Sequence, residues 1–464
     1  MKLNNVVRCA RNISGKSVTP NVCIVGAGPA GFYAAQQLIK TSNDVKVDIL
    51  ERLPVPFGLV RFGVAPDHPE VKNVINTFHK TAINPRVRFL GNVNVGKDVR
   101  VEQLMENYHA VLLTYGAEED RELGIPGEDL KNVISGRKFV GWYNGSPNDR
   151  DLGINLDVEE AIIVGQGNVA IDIARILLSP IDRLRVSTNK TDITSYALEQ
   201  LSRSRIRKVS LIGRRGPLQA AFTIAELREM VKLEKCETRW RAEDFTGVRD
   251  LVANLPRPRK RITELMLKSL EESPPEESPH EKKFFPIFLR SPSELLGLES
   301  VEKIRLHVNE LNGEDYKSQS AKPTDSYEEI PCGLALRSIG YKSVAIDDAV
   351  PFDQRNGRIV NNFGKIDKNL YAAGWVATGP VGVILSTMTN AFQVAGLICK
   401  ELLTNEPKEG TQGLLKILRD KNVQTVSYDQ WKKIDEVERE MGKKLDKPRE
   451  KIVDVKKMLE IAFK

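Results

Sequence analysis

The sequence predicts an α/β fold with two Rossmann-like dinucleotide-binding domains, one of which is inserted into the other. Two strand–glycine turn–helix–strand units carry this prediction, and they begin at Val22 and Ala161. A strand is also predicted over 110–117, and a similar segment, 334–341, follows much later in the chain. We therefore expect the second domain to interrupt the first, with these limits: a leading segment 1–18, a first domain of 19–119 and 340–464, and a second domain of 120–339.

The composition is that of a globular chain without a metal or disulfide framework. Its 464 residues suffice for two or three domains, and the net charge of +7 is mild for that length. This charge indicates a basic patch and argues against a nucleic-acid-binding protein. The five cysteines form no CxxC or CxxxxC pair, which excludes structural zinc, cluster-binding cysteines and a redox disulfide. They are Cys9, Cys23, Cys236, Cys332 and Cys399.

Two uncharged stretches, 17–39 and 369–399, are long enough to span a bilayer. Each contains several glycines and a proline, at Pro29 and Pro380, and such clusters break a lipid-facing helix. We interpret both stretches as buried strand–turn–helix units and predict no transmembrane span.

The first 18 residues are basic and contain no acid, since the first acidic residue of the chain is Asp44. Their charge comes from Lys2, Arg8, Arg11 and Lys16. This composition is typical of a mitochondrial targeting segment. On composition alone, a solvated N-terminus without a targeting role remains the alternative.

The first glycine turn reads Gly26-Ala-Gly28-Pro-Ala30-Gly31 and lies between a strand and a helix. In such a turn Gly26 permits the tight bend, Gly28 lets the backbone approach a pyrophosphate, and Gly31 lets the helix pack closely. The helix N-terminus then offers unpaired amides to the phosphate charge. Glu51 ends the next strand, where a carboxylate binds a ribose 2′-hydroxyl and repels a 2′-phosphate. The turn therefore predicts FAD or NAD and argues against NADP.

The second glycine turn has alanine in place of the third glycine and reads Gly165-Gln166-Gly167-Asn168-Val169-Ala170. Its next strand is followed by Arg214 and Arg215, where an NAD-binding domain carries an acid. Two guanidiniums at this position can bind a 2′-phosphate through paired hydrogen bonds, which predicts NADP. The distance from the turn to the arginines is longer than usual, and we attribute this to an insertion over 180–207.

A flavin-type turn and an NADP-type turn in one chain predict hydride transfer from nicotinamide to flavin, with the chemistry supplied by the cofactors. Because the sequence has no redox cysteine pair, the electrons must pass to an external acceptor. The same lack of cysteine motifs argues against a disulfide reductase and against the pyridine-nucleotide subunit of a larger synthase. A non-enzymatic flavoprotein that senses NADP remains an alternative of a different class.

The segment 55–72 reads VPFGLVRFGVAPDHPEVK, and further distinctive segments follow in order at 139–144, 165–170, 213–218, 221–230, 332–334, 339–343 and 374–375. These segments resemble the adrenodoxin reductase family, the mitochondrial NADPH:ferredoxin oxidoreductases. The resemblance runs from about Asn21 to the C-terminus. It implies that the first domain binds FAD and the second binds NADP. The implied reaction takes hydride from NADPH and passes electrons singly to a [2Fe-2S] ferredoxin, which feeds mitochondrial P450s, iron–sulfur cluster assembly or both.

The resemblance also implies individual cofactor contacts. For FAD they are Ala30, Glu51, Leu59, Val95 and Trp375, with Gly382, Val383 and Ile384 around the isoalloxazine. For NADP they are Gln166, Gly167, Asn168, Val169, Arg214, Arg215 and Glu226, with Gly382 near the nicotinamide.

The family places a histidine and an aspartate close to the flavin, and these match His68 and Asp172. In the sequence alone, His68 between Asp67 and Pro69 could equally be a turn residue. Asp172 could merely interact with a helix dipole. A functional role for His68 would be to carry a proton or set polarity, not to donate hydride.

The expected partner is an acidic ferredoxin, so the chain should offer it a basic surface. The resemblance implies docking through Arg228, and the run at 257–261 adds Arg257 and Arg261, which share one face if a helix starts there. A solvated basic cluster without a partner is the alternative. We expect a monomer in the mitochondrial matrix, with peripheral attachment to the inner membrane as an open possibility.

The sequence departs from the family pattern in two places. Vertebrate members carry a Lys-Arg pair before the residue that matches Gly379, whereas Ala377 and Thr378 stand here. The acidic, proline-rich segment 271–283 also differs, and its composition predicts the least ordered part of the chain. These departures concern affinity for the nucleotide or the partner and leave the predicted reaction unchanged.

Overall fold

The computed structural model of the chain describes residues 18–185, 191–273, 281–402 and 406–464. The predicted targeting segment lies outside the described residues apart from Val18, and so do 274–280 of the proline-rich segment. The ends of that proline-rich segment belong to regular structure, because a helix reaches Glu271 and a strand begins at Lys282.

Within the described residues the strands are, in chain order, β1 (Asn21–Val25), β2 (Lys46–Leu50), β3 (Val87–Gly91), β4 (Ala110–Leu113), β5 (Glu119–Asp120), β6 (Val133–Ser135), β7 (Glu160–Val164), β8 (Lys208–Ile212), β9 (Cys236–Thr238), β10 (Lys282–Ile287), β11 (Arg290–Leu296), β12 (Lys303–Asn312), β13 (Ser320–Pro331), β14 (Leu334–Arg337), β15 (Tyr341–Lys342), β16 (Phe352–Asp353), β17 (Arg358–Ile359), β18 (Lys365–Asp367), β19 (Leu370–Ala372) and β20 (Val426–Ser427).

The α-helices of the same residues are α1 (Pro29–Thr41), α2 (Gly58–Phe62), α3 (Pro69–Lys72), α4 (Ile75–Ala82), α5 (Val101–Asn107), α6 (Gly136–Asn144), α7 (Asn168–Leu178), α8 (Ile181–Arg185), α9 (Ser195–Ser202), α10 (Ile224–Val231), α11 (Val248–Leu251), α12 (Arg257–Glu271), α13 (Trp375–Thr378), α14 (Ile384–Glu401), α15 (Thr411–Asp420), α16 (Tyr428–Lys444) and α17 (Val455–Phe463). None of these helices has the length and apolar character that a membrane crossing requires.

The first sheet has the strand order β18-β19-β4-β1-β2-β3-β20, with parallel pairing from β19 to β3 and antiparallel strands at both edges. Its central strand β1 is apolar on both faces. Val22 and Ile24 pack in the core formed with α1 and α14, whereas Cys23 and Val25 pack in the core formed with α5 and α15. A parallel sheet covered on both faces requires such continuous apolar strands.

The second sheet has the order β6-β14-β7-β8-β10-β9, and every pairing in it is parallel. One face of β7 packs under α6 and α7 through Ala161 and Ile163. The other face packs through Ile162 and Val164 against the antiparallel sheet β11-β12-β13. That antiparallel sheet was not predicted from the sequence.

The chain path confirms the predicted fold class, an α/β protein in which one dinucleotide-binding domain interrupts the other. The first sheet takes its strands from 21–113 and from 365–427, and the second takes its strands from 133–337. Where the chain passes between the domains, β5 and β15 pair with each other. The domain limits given above remain predictions.

Candidate active site

The first glycine turn follows β1 and leads into α1. Gly26 has φ +109°, and a Cβ there would lie 2.7 Å from Thr114 O. A Cβ on Gly31 would lie 2.1 Å from Gly26 O, so only glycine lets α1 pack this closely against the turn. Gly28 differs, because it caps α1 and, apart from its chain neighbours, no described residue has an atom within 4 Å of where its Cβ would be. The open backbone at Gly28 fits the pyrophosphate of a dinucleotide.

Glu51 lies directly after β2, at the predicted place. Its Oε2 accepts a hydrogen bond from the Ala27 amide (3.0 Å), and its Oε1 accepts one from the Leu53 amide (3.2 Å). Burial raises the pKa of Glu51, and the hydrogen bonds from these amides oppose that shift. The carboxylate therefore ties the glycine turn to the end of β2. Each of its oxygens has a further lone pair that can accept a hydrogen bond from a ribose hydroxyl.

The next predicted FAD contacts come from both ends of the chain. Ala30 is buried in the first turn of α1, and a Cβ on Gly374 would lie 2.6 Å from Ala30 Cβ. Leu59 is half-buried in α2, and Val95 is buried and forms a bridge with Val99. The glycine before α13 thus allows the C-terminal part of the chain to close against the first glycine turn.

Trp375 begins α13, and its indole Nε1 is buried without a hydrogen-bond partner in the described part of the chain. Its ring centroid lies 5.8 Å from that of Tyr341. A buried N–H that lacks a partner costs about 1–3 kcal/mol. The unsatisfied indole therefore indicates a ligand that brings an acceptor, as a flavin ring does.

The entry to α14 carries the remaining predicted flavin contacts, Gly382, Val383 and Ile384. Gly382 has φ +88°, a conformation that favours glycine, and Val383 caps the helix. Three apolar side chains at this entry remain exposed, by 75%, 56% and 65%, and they belong to Val381, Val383 and Leu385. An apolar surface next to an unpartnered indole and an open helix N-terminus fits a planar aromatic ring with polar edges. The residues present therefore fit FAD.

The second glycine turn follows β7 and leads into α7. A Cβ on Gly165, which has φ +127°, would lie 2.1 Å from Ser338 O. Gly167 caps α7, and within the described part of the chain only its own neighbours in sequence have atoms within 4 Å of where its Cβ would be. Asn168 Oδ1 accepts a hydrogen bond from the Thr223 amide at 2.8 Å. The turn repeats the open glycine turn of the first domain, and we call these two turns, 26–31 and 165–170, the first and second nucleotide cradles. The hydrogen bond from Thr223 fixes the second cradle to the connection that follows β8.

Gln166 of the same turn forms further hydrogen bonds to the connection after β8 and to β10. Its carbonyl oxygen accepts a hydrogen bond from the Ala221 amide (3.0 Å), and its Nε2 donates to Ile287 O (3.1 Å). Its Oε1 is buried without a partner among the described residues. Val169 is half-buried in the first turn of α7. An unsatisfied acceptor within the turn again indicates a bound group that donates a hydrogen bond.

Arg214 and Arg215 follow β8 after Gly213, at the predicted place; the first is exposed and the second half-buried. Neither guanidinium forms an ion pair within the described residues. Two unpaired cations beside an open glycine turn fit the extra phosphate of NADP(H). The residues of the second domain therefore fit NADP.

The two predicted catalytic residues lie in an ion network between the domains. At its centre is Arg175 of α7, which is fully buried and donates hydrogen bonds from Nε and Nη2 to the Asp67 carboxylate at 2.7 and 3.0 Å. The Nη2 atom also lies 2.8 Å from Asp172 Oδ1, an ion pair without hydrogen-bond geometry. Nη1 lies 3.4 Å from Glu226 Oε2. The network thus joins Asp172 to a predicted NADP contact.

His68 enters the same network from the first domain. It caps α3, and its Nε2 lies 2.9 Å from Glu229 Oε2 of α10. Burial and Arg175 would lower the pKa of His68, but Asp67, Glu229 and Asp172 together raise it above its ordinary value. Burial raises the pKa of Asp172 to about 7, against the opposing charge of Arg175. An imidazole and a carboxyl group, both with raised pKa values, therefore lie together at the junction of the domains.

Sequence reasoning missed the residues that hold this network together. Asp67 and Arg175 are separated by 108 positions, and only the fold brings them into contact. The sequence contains one signal that could have been used: Asp172 and Arg175 are three residues apart on a helix, which is an ion-pair spacing. Glu229 lies in the segment 221–230, which resembles the family, but no role was predicted for it.

The predicted docking residues lie on two helices that pack against each other. Arg228 is half-buried on α10, and α12 begins at Arg257, so that Arg257 and Arg261 are one turn apart and both exposed. None of the three forms an ion pair with another described residue. Another basic residue of the run at 257–261, Arg259, points elsewhere: its Nη1 donates to Ala220 O at 2.8 Å.

At the first departure from the family pattern, Ala377 is buried and Thr378 is exposed. Asn361 Nδ2 donates to Ala377 O at 3.0 Å, and Thr378 Oγ1 donates to Gly374 O at 3.2 Å. These residues support α13 without placing a cation there. The positive charge of the Lys-Arg pair expected in vertebrate members therefore has no counterpart at Ala377 and Thr378.

Two dinucleotide cradles, one with a carboxylate and one with two arginines after the second strand, define a two-nucleotide flavoprotein oxidoreductase that uses FAD and NADP(H). A family model described as an NAD(P)-binding Rossmann-like domain matches residues 24–90. Over 96% of this chain and 100% of the other, the fold superimposes on Mycobacterium tuberculosis FprA in complex with NADPH, with a TM-score of 0.90 and 37% identity.

Curated relatives cover nearly the whole chain. The mitochondrial NADPH:adrenodoxin oxidoreductase of Salvelinus fontinalis is 51% identical over 98% of this chain and 93% of its own length. The proteins of the same name from Drosophila melanogaster and Arabidopsis thaliana are 51% and 40% identical, over 97% and 98% of this chain and 95% and 98% of their own lengths. The chain belongs to the NADPH:adrenodoxin oxidoreductase family.

Proposed function

We propose that this chain is a mitochondrial NADPH:adrenodoxin oxidoreductase (EC 1.18.1.6) that passes electrons singly to an acidic [2Fe-2S] ferredoxin. The observation that carries the proposal is the opposite charge at equivalent places in the two domains. Glu51 directly follows the second strand of the first unit, whereas Arg214 and Arg215 come after the equivalent strand in the second unit. One cradle therefore accepts a ribose hydroxyl, and the other accepts a phosphate.

When bound, the flavin accepts two electrons as hydride from the nicotinamide and releases them one at a time. The protein supplies position. In the first domain, 19–119 with 340–464, the open backbone at Gly28 would hold the pyrophosphate and Glu51 the ribose. Trp375 Nε1 would donate a hydrogen bond at the flavin end, where 382–384 provide an apolar cover.

The second domain, 120–339, would hold NADP(H) through the turn at 166–169 and through the two arginines. Glu226 connects this cradle to the ion network, because its carboxylate lies 3.4 Å from Arg175 Nη1. The acid-rich network would favour the positive charge that the nicotinamide acquires when hydride leaves. His68 and Asp172 would set the local charge or hold a proton there.

The electrons would leave through a docked partner. The exposed side chains of Arg257 and Arg261, together with Arg228, offer a cationic surface on neighbouring helices α10 and α12. Such a surface suits an acidic ferredoxin, since complementary charge speeds association. We further propose that the enzyme acts as a monomer in the matrix, where peripheral contact with the inner membrane would place it near membrane-bound P450s; iron–sulfur cluster assembly is the other proposed destination of the electrons.

A coupled assay tests the proposal. NADPH should bleach the flavin absorbance of the purified protein within seconds, and cytochrome c reduction should require added ferredoxin. NADH should serve poorly at the same concentration. Bleaching without any ferredoxin-dependent turnover would instead favour a flavoprotein that senses NADP.

A further inference from the structure

We propose that Arg259 is a third binding residue for the 2′-phosphate of NADP(H), an inference that rests on the proposed function and adds to it. The sequence places Arg259 in a basic run with Arg257 and Arg261, and nothing in that run separates the three. The structure separates them, because Arg257 and Arg261 are exposed on α12 whereas Arg259 is half-buried.

The contacts of Arg259 direct it toward the second nucleotide cradle. Its Nη1 donates to the carbonyl oxygen of Ala220 at 2.8 Å. The next residue, Ala221, donates its amide to Gln166 O in the glycine turn at 3.0 Å. Ala220 also lies in the short connection that begins with Arg214 and Arg215. Arg259 is therefore anchored on the segment that joins the turn to the phosphate-binding arginines.

The free donors of Arg259 have no acid to bind. Among the described residues, Arg259 forms one hydrogen bond, to Ala220, which uses one of five guanidinium N–H groups, and no ion pair forms with any described carboxylate. Burial lowers the pKa of Arg259, Tyr316 opposes that shift, and the positive charge of Arg215 adds to it. The repulsion between Arg259 and Arg215 is unfavourable in the free protein, and a dianionic phosphate relieves it.

Helix stability does not account for the position of Arg259. It lies in the first turn of α12, which contains no acid, and a cation there opposes the helix dipole. The neighbouring hairpin supports the same surface, since Gln219 Nε2 donates to Tyr316 O at 2.9 Å at the tip between β12 and β13. The tip of this hairpin thus lies over the connection that carries Arg214 and Arg215.

Equilibrium binding to the FAD-loaded protein tests the inference with Arg259→Met, which removes the charge and keeps an apolar side chain. We expect the Kd for NADP⁺ and for 2′,5′-ADP to rise about tenfold, the loss of one charge-assisted hydrogen bond, with the Kd for NAD⁺ changing less than about twofold. Arg259→Lys keeps the charge without the planar fork and should show a smaller loss in the same direction. Lys268→Met, an exposed cation on the same helix, is the matched control and should change neither affinity.

Two outcomes would overturn the inference: equal losses for NADP⁺ and NAD⁺, which would make Arg259 a structural residue, or unchanged affinity for both. A wild-type protein that binds NAD⁺ as tightly as NADP⁺ would refute the NADP assignment itself, so failure of the proposed function is distinguishable from failure of this inference. Should Arg259→Met lose its flavin on purification, the Arg259→Lys titration decides.

Discussion

Glu51 and the pair Arg214–Arg215 occupy equivalent places in two copies of one supersecondary unit, and in our proposal their chemistry decides which nucleotide each domain binds. Glu51 has a second role that only the structure shows, because its carboxylate oxygens accept hydrogen bonds from Ala27 and Leu53. A change at this residue should therefore affect both the shape of the cradle and its contact with the ribose.

Replacing Glu51 by Lys should yield protein without flavin. The ammonium group cannot accept the hydrogen bonds from the two amides, and the N–H groups of the glycine turn repel its positive charge. Glu51→Gln keeps one acceptor oxygen and should retain FAD with weakened affinity, by about 1.5–3 kcal/mol for each charged hydrogen bond lost. The measurement is the flavin-to-protein absorbance ratio after gel filtration. Glu118→Gln, an exposed acid paired with Arg52, is the control. Full flavin content in Glu51→Lys would show that the carboxylate is dispensable.

Replacing Arg214 and Arg215 together by Ala should lower NADPH affinity tenfold or more, because each charge-assisted bond to phosphate contributes about 1.5–3 kcal/mol. NADH use should remain nearly the same, since NADH lacks the 2′-phosphate. Steady-state KM values for both nucleotides check this, with Arg203→Ala as a control at an exposed arginine that pairs with Glu199. Parallel losses for NADPH and NADH would contradict the assignment.

At this scale the sequence predicted residues whose role depends on a local motif and missed residues whose role depends on the fold. The glycine turns, Glu51 and the arginine pair are positions in a short pattern. Arg175 and Asp67 meet only because α7 of the inserted domain packs beside the segment before α3. A single sequence contains no measure of that proximity.

Among the elements, α12 best shows how one stretch of sequence serves two surfaces. Helix periodicity turns Arg257 and Arg261 to solvent, while Arg259 lies between them in sequence and reaches the segment before α10. Helix α10 packs beside α12 and adds Arg228. The docking prediction therefore concerns one face of α12 and not the whole basic run.

Reversing the charge of that face, with Arg257→Glu and Arg261→Glu, should strongly reduce ferredoxin-dependent cytochrome c reduction and flatten its salt dependence. Electrostatic steering acts over about 8–10 Å at physiological ionic strength, so the effect should appear mainly in the association rate. Ferricyanide, a small acceptor, should still be reduced near the wild-type rate. Loss of both activities would indicate damage to the nucleotide sites, and loss of neither would place docking elsewhere.

Element prediction succeeded where periodicity and turn chemistry agree. The second unit illustrates this, since the strand–glycine turn–helix–strand unit predicted to begin at Ala161 is present as β7, the turn at 165–170, α7 and β8. By contrast, β13 is mostly exposed and polar and shows no clear apolar alternation, although its partner β12 alternates through Ile304, Leu306 and Val308. Their pairing across the hairpin, which covers the second cradle, could not be recognised from the pattern.

On the scale of the whole molecule, three distant segments meet at one buried carboxylate. Asp192, in the insertion before α9, lies 2.5 Å from Lys72 Nζ at the end of α3 and 2.8 Å from Lys451 Nζ after α16. All three side chains are nearly buried. This cluster connects the inserted domain to both parts of the first domain. It holds together the domains whose junction contains His68 and Asp172.

The charges of this cluster respond to pH in opposite ways. Burial would raise the pKa of Asp192, but Lys451 and Lys72 hold it well below its ordinary value. Its contribution to stability is therefore present above about pH 4 and is lost as the pH falls through the folded pKa. Burial lowers the pKa of Lys451 to about 7 despite Asp192, with Lys72 and Arg61 adding repulsion. From pH 7 to about 10 the unfolded state binds more protons at Lys451, so stability rises with pH there.

Asp192→Asn should consequently destabilise the protein by about 3–5 kcal/mol near pH 6, because it leaves two buried ammonium groups without a counter-charge. The deficit should shrink toward pH 9, where Lys451 is neutral in the folded state. Lys451→Met leaves Asp192 paired with Lys72 and should cost clearly less, while Asp151→Asn, at an exposed acid, should cost little. Denaturant titrations of the FAD-loaded variants at both pH values measure these differences. A deficit that is the same at pH 6 and pH 9, or equal for Asp192→Asn and Lys451→Met, would mean that the cluster does not join the domains through its charge.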